Sequence, residues 1–286
     1  MTRSHREARR IRPRGLYPIL TVVALLALLP LLYMTSTSLK TYGETITRVS
    51  SSPFHPDFWP RPDNLQFVNY SIAWSEGIGA YFFNSVLISS LTTVGILLTT
   101  IPAAFAFSKL QISGRDTLFS ILLVTLMIPE TVFTIPNFLT IRALGWIDSL
   151  AALTVPFMAS AFYIFLLRQF FNQIPNALLE SARIDGAGNV RSMTSIAVPL
   201  ARAPIFTIAF LGFTGAWNAL QWPLVVTLTD TWRPLTVGLL QFLSDAGPES
   251  QLRMAGAAIA LIPVVIVYIC AQRQITDSIT RSGVKG

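Results

Sequence analysis

Five stretches of this 286-residue chain carry no charged side chain: Gly15–Leu39, Gly77–Ser108, Ser149–Leu167, Ala203–Thr229 and Met254–Gln272. A sixth, Thr117–Ile141, is interrupted by Glu130 alone. About 20 mostly apolar residues are needed for a helix to cross roughly 30 Å of hydrocarbon, and each stretch meets or approaches that length. Charged residues make up 12% of the chain, against about 25% in soluble domains. A buried soluble core can imitate one such run but not six. The expectation is an all-α polytopic membrane protein with six transmembrane helices.

The cations follow the spans. Arg3, Arg6, Arg9, Arg10, Arg12 and Arg14 precede the first, and Lys109 and Arg115 separate the second from the third. Arg168, Arg183, Arg191 and Arg202 lie between the fourth and fifth, and Arg273, Arg281 and Lys285 follow the sixth. The alternate loops hold Lys40, Arg48, Arg61, Arg142, Arg233 and Arg253, so 15 of the 21 Lys and Arg share one side. By the positive-inside rule that side, with both termini, is cytoplasmic. The formal charge of +7 therefore reports topology rather than a nucleic-acid stripe. The basic flank of Leu16–Leu39 fits a signal peptide, but its apolar run exceeds the usual 7–15 residues or so, which favours an uncleaved span.

Residues 1–14 read as a basic cytoplasmic tail drawn to anionic headgroups, and 15–286 as one transmembrane domain. The longest outer segment, Lys40–Ala80, has an amphipathic stretch near Asn64–Trp74; its acids Asp57, Asp63 and Glu76 read as solvated. A second outer loop, Asp230–Arg253, has room for a small helix around Pro234–Leu243. Prolines 30, 102, 129, 136, 156, 223 and 263 fall within or at the ends of spans, where each removes a backbone donor.

The polar segment Arg168–Arg202 is the most informative on the basic side. Pro175 suits a first helical turn, Asn176–Ile184 reads as helix with Leu178 and Ala182 on one face, and Gly186 ends it. A second short helix from about Asn189 carries Val190, Met193, Ile196 and Ala197 at helical spacing, and Pro199 closes it. Two short helices joined at Gly186 form a knob that fits a cleft in a soluble partner, with Glu180 and Asp185 as anchor charges. An amphipathic connector lying on the bilayer is the alternative.

The residues Glu180-Ser181-Ala182, Asp185-Gly186-Ala187 and Ile196-Ala197-Val198-Pro199 resemble the coupling-loop signature of ABC importer permeases, E-A-A-x3-G-x9-I-x-L-P. Ser181 stands where the signature has its first Ala and Val198 where it has Leu, both conservatively. The likeness extends over about 16–286. Asn69-Tyr70, Asn84-Ser85, Met127–Pro136, Leu144-Gly145-Trp146, Trp217-Asn218 and the ending Ser282–Gly286 resemble the carbohydrate branch, in particular the second permease of maltose-type importers. The resemblance implies a type I importer fold and a heterodimer with a second permease. It further implies two cytoplasmic ATPase subunits, which hold ATP and Mg, and an extracytoplasmic solute-binding protein. Glu180, Ser181, Ala182, Asp185, Gly186, Ala187, Ile196 and Pro199 would couple to one ATPase, and Gly283, Val284, Lys285 and Gly286 would reach toward it.

No cofactor site is legible in the chain itself. Lys40, Lys109 and Lys285, its only lysines, lack Walker A context; His5 and His55 lie on opposite sides; Cys270 is alone. Glu130 either lines a solute path or faces water near the outer end of a span that stops at Pro129 or Pro136. Trp217, Asn218, Gln221, Trp222 and Asn84 either line the path, where rings and amides suit a sugar, or pack helices together. The function expected is inward movement of a sugar or sugar-like solute. A glycerophosphate solute in the same class and an ion-coupled secondary transporter are the alternatives.

Overall fold

A computed structural model describes residues 16–246 and 249–282, and every regular element among them is helical. Three helices, Tyr17–Ser38, Val68–Lys109 and Ser250–Cys270, are each long and apolar enough to cross a membrane. Three further candidates are bent pairs: Arg115–Thr125 with Glu130–Ala143 at 86°, Leu150–Phe157 with Ala161–Asn172 at 41°, and Asn189–Leu200 with Arg202–Trp217 at 84°. Counting each pair as one crossing gives six.

The third and fourth expected spans are not continuous helices, and each breaks at or shortly after a proline. Pro129 adopts ψ 133°, outside the helical region, and it biases Ile128 away from helix as well. Pro156 sits in a tight 3-10 turn, after which Ser160 is extended (φ −139°, ψ 123°). Pro30, Pro102 and Pro263 lie inside unbroken helices, so proline alone does not dictate a break. The fifth expected run divides into Arg202–Trp217 and Gln221–Val226.

The chain forms two compact units. The first comprises 1–72 and 246–258. It holds α1 (Leu16–Ser38), α2 (Tyr42–Thr47) and most of α3 (Val68–Ala73). α1 exposes nearly all its apolar residues, as a helix facing lipid or another subunit does. The segment after it is pinned by polar contacts. Asn69 Nδ2 donates to Ser38 O (2.8 Å) and Lys40 O (3.0 Å), and Thr41 with Glu44 forms a capping box for α2. Asp57 is not simply solvated: its carboxylate takes a 2.7 Å hydrogen bond from Arg48 Nε, which holds its pKa below the usual carboxylate range. Lys40 Nζ is buried and donates to Asp57 O (2.6 Å) and Arg48 O (3.1 Å).

The second unit comprises 73–245 and 259–286. Its hub is α4 (Gly79–Lys109), whose buried positions include Ser85, Ser89, Thr92, Gly95, Thr100 and Ala104. Small residues at a helix interface let backbones approach closely, which is how helices associate without a hydrophobic drive between them. In chain order follow α5 (Arg115–Thr125), α6 (Thr134–Ala143), α7 (Leu150–Thr154), α8 (Ala161–Asn172), α9 (Asn176–Ile184), α10 (Asn189–Ser192) and α11 (Val198–Leu200). Then come α12 (Arg202–Trp217), α13 (Gln221–Val226), α14 (Leu235–Asp245) and the remainder of α15 (Ser250–Ser282). α14 occupies the expected place of the small outer helix. One core joins Ile96, Ala104 and Phe105 of α4 to Leu167 and Phe171 of α8 and Ile208 of α12. A second gathers Ile88, Ile141, Ala152, Leu153 and Val226.

Two glycines mark where this packing has no slack. A Cβ at Gly238 would overlap the Tyr81 ring, which cannot swing aside without breaking its hydroxyl contact with Asp230; one at Gly95 would overlap Met158 as far back as its Cβ, an atom that no change of rotamer moves. Gly238→Ala and Gly95→Ala are each expected to destabilise the detergent-purified protein by about 1–3 kcal/mol. Thermal unfolding followed by tryptophan fluorescence checks both.

Candidate functional site: the loop between Arg168 and Arg202

Pro175 (φ −58°, ψ 131°) turns the chain into α9 just after α8 ends. The start is fastened by Lys109 at the end of α4, whose Nζ donates to Ile174 O (2.6 Å) and Asn176 Oδ1 (2.9 Å). α9 is strongly two-faced. Leu179 is buried in the first core with Ile174, while Leu178, Glu180, Ser181 and Arg183 are exposed. Of the residues placed on one face by sequence, Leu178 is therefore open and Ala182 half-buried; Leu179 is the one that keys α9 to the bundle.

The end of α9 is a Schellman motif. Ala187 N donates to Ala182 O (2.8 Å) and Gly186 N to Arg183 O (3.0 Å), which satisfies two of the carbonyls a helix end leaves free. The reversal requires a left-handed residue, and Gly186 supplies it at φ +82°. Asp185 caps the helix with its side chain exposed. Gly188 then runs extended into α10. Between α10 and α11 the helix widens to a π-turn over Met193–Ala197, with Val198 N bonded to Met193 O. Pro199 lies one residue beyond and has no N–H to continue the α ladder. The chain bends by 84° into α12 at Ala201, where Arg202 Nε donates to Pro199 O (3.0 Å).

The loop consequently has two working faces. Inward, Leu179, Met193, Ile196 and Ala197 pack with Phe105, Leu167, Phe171 and Ile208. Outward, Glu180, Ser181, Asp185, Gly186 and Pro199 are exposed, Ala182 and Ala187 half so, and large apolar side chains stand free: Ile184 is 87% and Val190 72% accessible.

Arg168 is a neighbour that sequence reasoning counted only as a topology charge. Its Nε donates to Phe107 O (2.9 Å), its guanidinium lies 3.8 Å above the Phe119 ring, and it reaches Asp116 at 3.3 Å. Together with Lys109 it locks α4, α5 and α8 at the loop's root. Nothing in the local sequence marks these contacts, because their partners are 49 to 67 positions away.

The remaining candidates are not gathered at one place. Trp217 is buried between Phe82 and Phe213 with Nε1 on Ala260 O (3.3 Å), and Trp222 Nε1 donates to Ala152 O (2.9 Å). Asn84 Nδ2 donates to Thr231 O and Arg233 O, both at 3.0 Å. Asn218 bonds back to Thr214 O, Gln221 is exposed, and Glu130 stands exposed at the break between α5 and α6. Residues 283–286 lie outside the described residues. Among the described residues no group of three His, Cys, Asp or Glu could hold a metal.

Residues 77–281 match the profile of the family described as "binding-protein-dependent transport system inner membrane component". The diacetylchitobiose uptake system permease protein NgcG of Streptomyces coelicolor is 29% identical over 93% of this chain and 86% of its own length. The sn-glycerol-3-phosphate transport system permease protein UgpE of Yersinia enterocolitica is 34% identical over 72% of this chain and 76% of its own. In structure the chain resembles a bacterial ABC transporter involved in the import of the acidic polysaccharide alginate. The TM-score is 0.79 at 26% identity, with 95% of this chain and 99% of the other covered.

Gly186→Val should forfeit the Schellman bonds at a cost of about 1–3 kcal/mol, since a β-branched residue resists a positive φ. Faster amide exchange confined to 182–188, with membrane insertion unchanged, is the expected readout.

Proposed function

This chain belongs to the family of binding-protein-dependent transport system inner membrane components, and from that membership we propose that it is a permease subunit of an ATP-driven ABC importer that moves a sugar or sugar-like solute inward. The observation that carries the coupling role is the two-faced loop. One face is packed into the membrane helices and the other is presented to a partner, so a push on the outer face moves α8 and α12. The partner in this reading is one of two cytoplasmic ATPase subunits, which bind ATP and Mg and supply the energy. This chain itself is a non-enzymatic transport subunit. A second permease and an extracytoplasmic solute-binding protein complete the assembly, with both termini on the basic, cytoplasmic side. Gly283, Val284, Lys285 and Gly286 are proposed to approach the ATPase pair. Asn84, Glu130, Asn218 and Gln221 remain path-lining proposals. Trp217, buried with Phe82 and Phe213 against its ring, fits the helix-packing alternative; Trp222, whose indole donor is engaged, would meet solute through its ring.

The energetics favour apolar docking. Burying an Ile or Val side chain contributes about 1.5–3 kcal/mol, whereas an exposed ion pair contributes roughly 0–1 kcal/mol. Ile184 and Val190 thus supply adhesion, and Glu180 and Asp185 supply register.

The similarity to UgpE favours one variant of this reading, a glycerophosphate solute. Proteoliposomes containing the whole complex, tested with radiolabelled diacetylchitobiose, an arabino-oligosaccharide and sn-glycerol-3-phosphate, distinguish the two. Uptake requiring both ATP and binding protein is expected for a saccharide. Gradient-driven uptake by this chain alone, or ATP hydrolysis by it alone, would overturn the class. Within the same assay, Ile184→Ser is expected to weaken ATPase association by about tenfold and Glu180→Ala by less than about threefold, as those contact energies imply. Co-purification at graded salt reads the difference.

A further inference from the structure

Among the described residues Asp148 is the one non-glycine residue with a positive φ (58°). It lies in the short turn between α6 and α7, where the sequence gives no reason for a charged group. Asp and Asn tolerate this conformation better than other side chains, yet it still costs free energy and persists only where the surroundings enforce it.

The surroundings here are one strand of chain about 80 positions away. Asp148 N donates to Val226 O (2.8 Å). Its Oδ1 accepts from Leu228 N (3.0 Å) and Thr229 N (3.2 Å), and its Oδ2 accepts from the Thr229 hydroxyl (2.6 Å). The Thr229 hydroxyl, then the two backbone N–H groups, hold the carboxyl below the usual carboxylate range, so it is ionised at any physiological pH. Hydrogen bonds to a charged group are worth roughly twice neutral ones.

What these bonds hold is the approach to the outer helix α14. From Val226 the chain runs through Thr229, Asp230 and Thr231 to Leu235. Its other side is fixed to the end of α4: Tyr81 Oη to Asp230 Oδ1 (3.2 Å), Asn84 Nδ2 to the carbonyls of Thr231 and Arg233, and Leu235 N to Ser85 Oγ (2.7 Å). Arg233 bridges Asp230 and Gln241 of α14. Segment 226–235 is thus clamped between two walls. The α4 wall is built from several side chains. In the opposite wall, the Asp148 carboxylate accepts from the backbone N–H groups of Leu228 and Thr229 and from the Thr229 hydroxyl, which also meets Thr231.

We propose that Asp148 is a positioning residue of the outer rim: its carboxylate sets the placement of 226–235 and of α14, and so the affinity with which the rim receives the loaded binding protein, without touching solute. This rests on the importer reading above. Asp148→Gly separates the two contributions at the site, because glycine keeps the positive φ and loses the carboxylate.

Two measurements test it. Spin labels at Leu144→Cys and Leu240→Cys, in a Cys270→Ser background within the full complex, should give a narrow distance distribution that broadens in Asp148→Gly. In proteoliposomes with the saccharide that supports wild-type uptake, the binding-protein concentration for half-maximal ATPase stimulation should rise about tenfold, the scale of one lost charge-assisted hydrogen bond. The maximal rate should fall less than about twofold, since the driving loop is remote. An unchanged distance distribution overturns the proposal, as does a fall in maximal rate with the half-maximal concentration fixed. Should Asp148→Gly fail to insert, Thr229→Val removes the hydroxyl that donates to Asp148 and leaves both backbone donors, and it must shift both readouts in the same direction. Absence of binding-protein-dependent uptake in the wild type would sink the importer reading, while the label distances would still decide the role of Asp148.

Discussion

Close packing around α4 is the constraint on which the rest of the second unit depends. Helices in lipid gain little from apolar burial against one another, so contact distance and satisfied backbone decide which arrangement is stable. α4 meets this demand with glycine, serine, threonine and alanine along its buried face. The packing is tight enough that a Cβ on Gly212 of α12 would come within 3.0 Å of Ile96. Both ends of α4 then become anchor points. Lys109 at one end fastens the loop that carries α9, and Tyr81, Asn84 and Ser85 at the other fasten the approach to α14. A rigid central helix with polar fastenings at each end turns two remote surfaces into parts of one body.

The loop's two faces follow from chemistry that a helix of nine residues can encode. Such a helix is too short to be stable alone, and tertiary packing of its apolar stripe must hold it. Leu179 provides that packing, and Gly186 with the Schellman bonds fixes where the helix stops. The exposure of Ile184 and Val190 is then the unusual feature. Large apolar side chains concentrated on a polar loop cost solvation unless something covers them, and isolated in the chain they have no internal role.

The parts of this architecture legible in the sequence were those set by local composition. Uncharged runs gave the crossings, cation placement gave an expected orientation, and Pro175 with Gly186 marked the limits of α9. The breaks at Pro129 and Pro156 were not legible, because Pro30, Pro102 and Pro263 occupy similar contexts and leave their helices intact. What separates the two cases is not written in the residues beside each proline. Choosing Leu179 over Leu178 likewise required knowing where Phe171 and Ile208 lie. Asp148 was invisible for the same reason: its partners are about 80 positions away and consist mostly of backbone.

Trp217 and Trp222 show how a side chain whose type suits two roles is held by its surroundings. Each looks suited to stacking on a sugar ring, yet each has its indole N–H engaged by a carbonyl of the bundle, at Ala260 and Ala152 respectively. A donor in apolar surroundings must find an acceptor, so it becomes part of the scaffold before it becomes part of a binding surface. Asn218 and Gln221 differ in kind. The Asn218 side chain bonds back to Thr214 O, one turn earlier, and Gln221 is exposed, so neither ties one helix to another among the described residues. A conduit that must hold a solute briefly and release it needs weak, replaceable contacts of that sort, mounted on a frame whose strong contacts do not change.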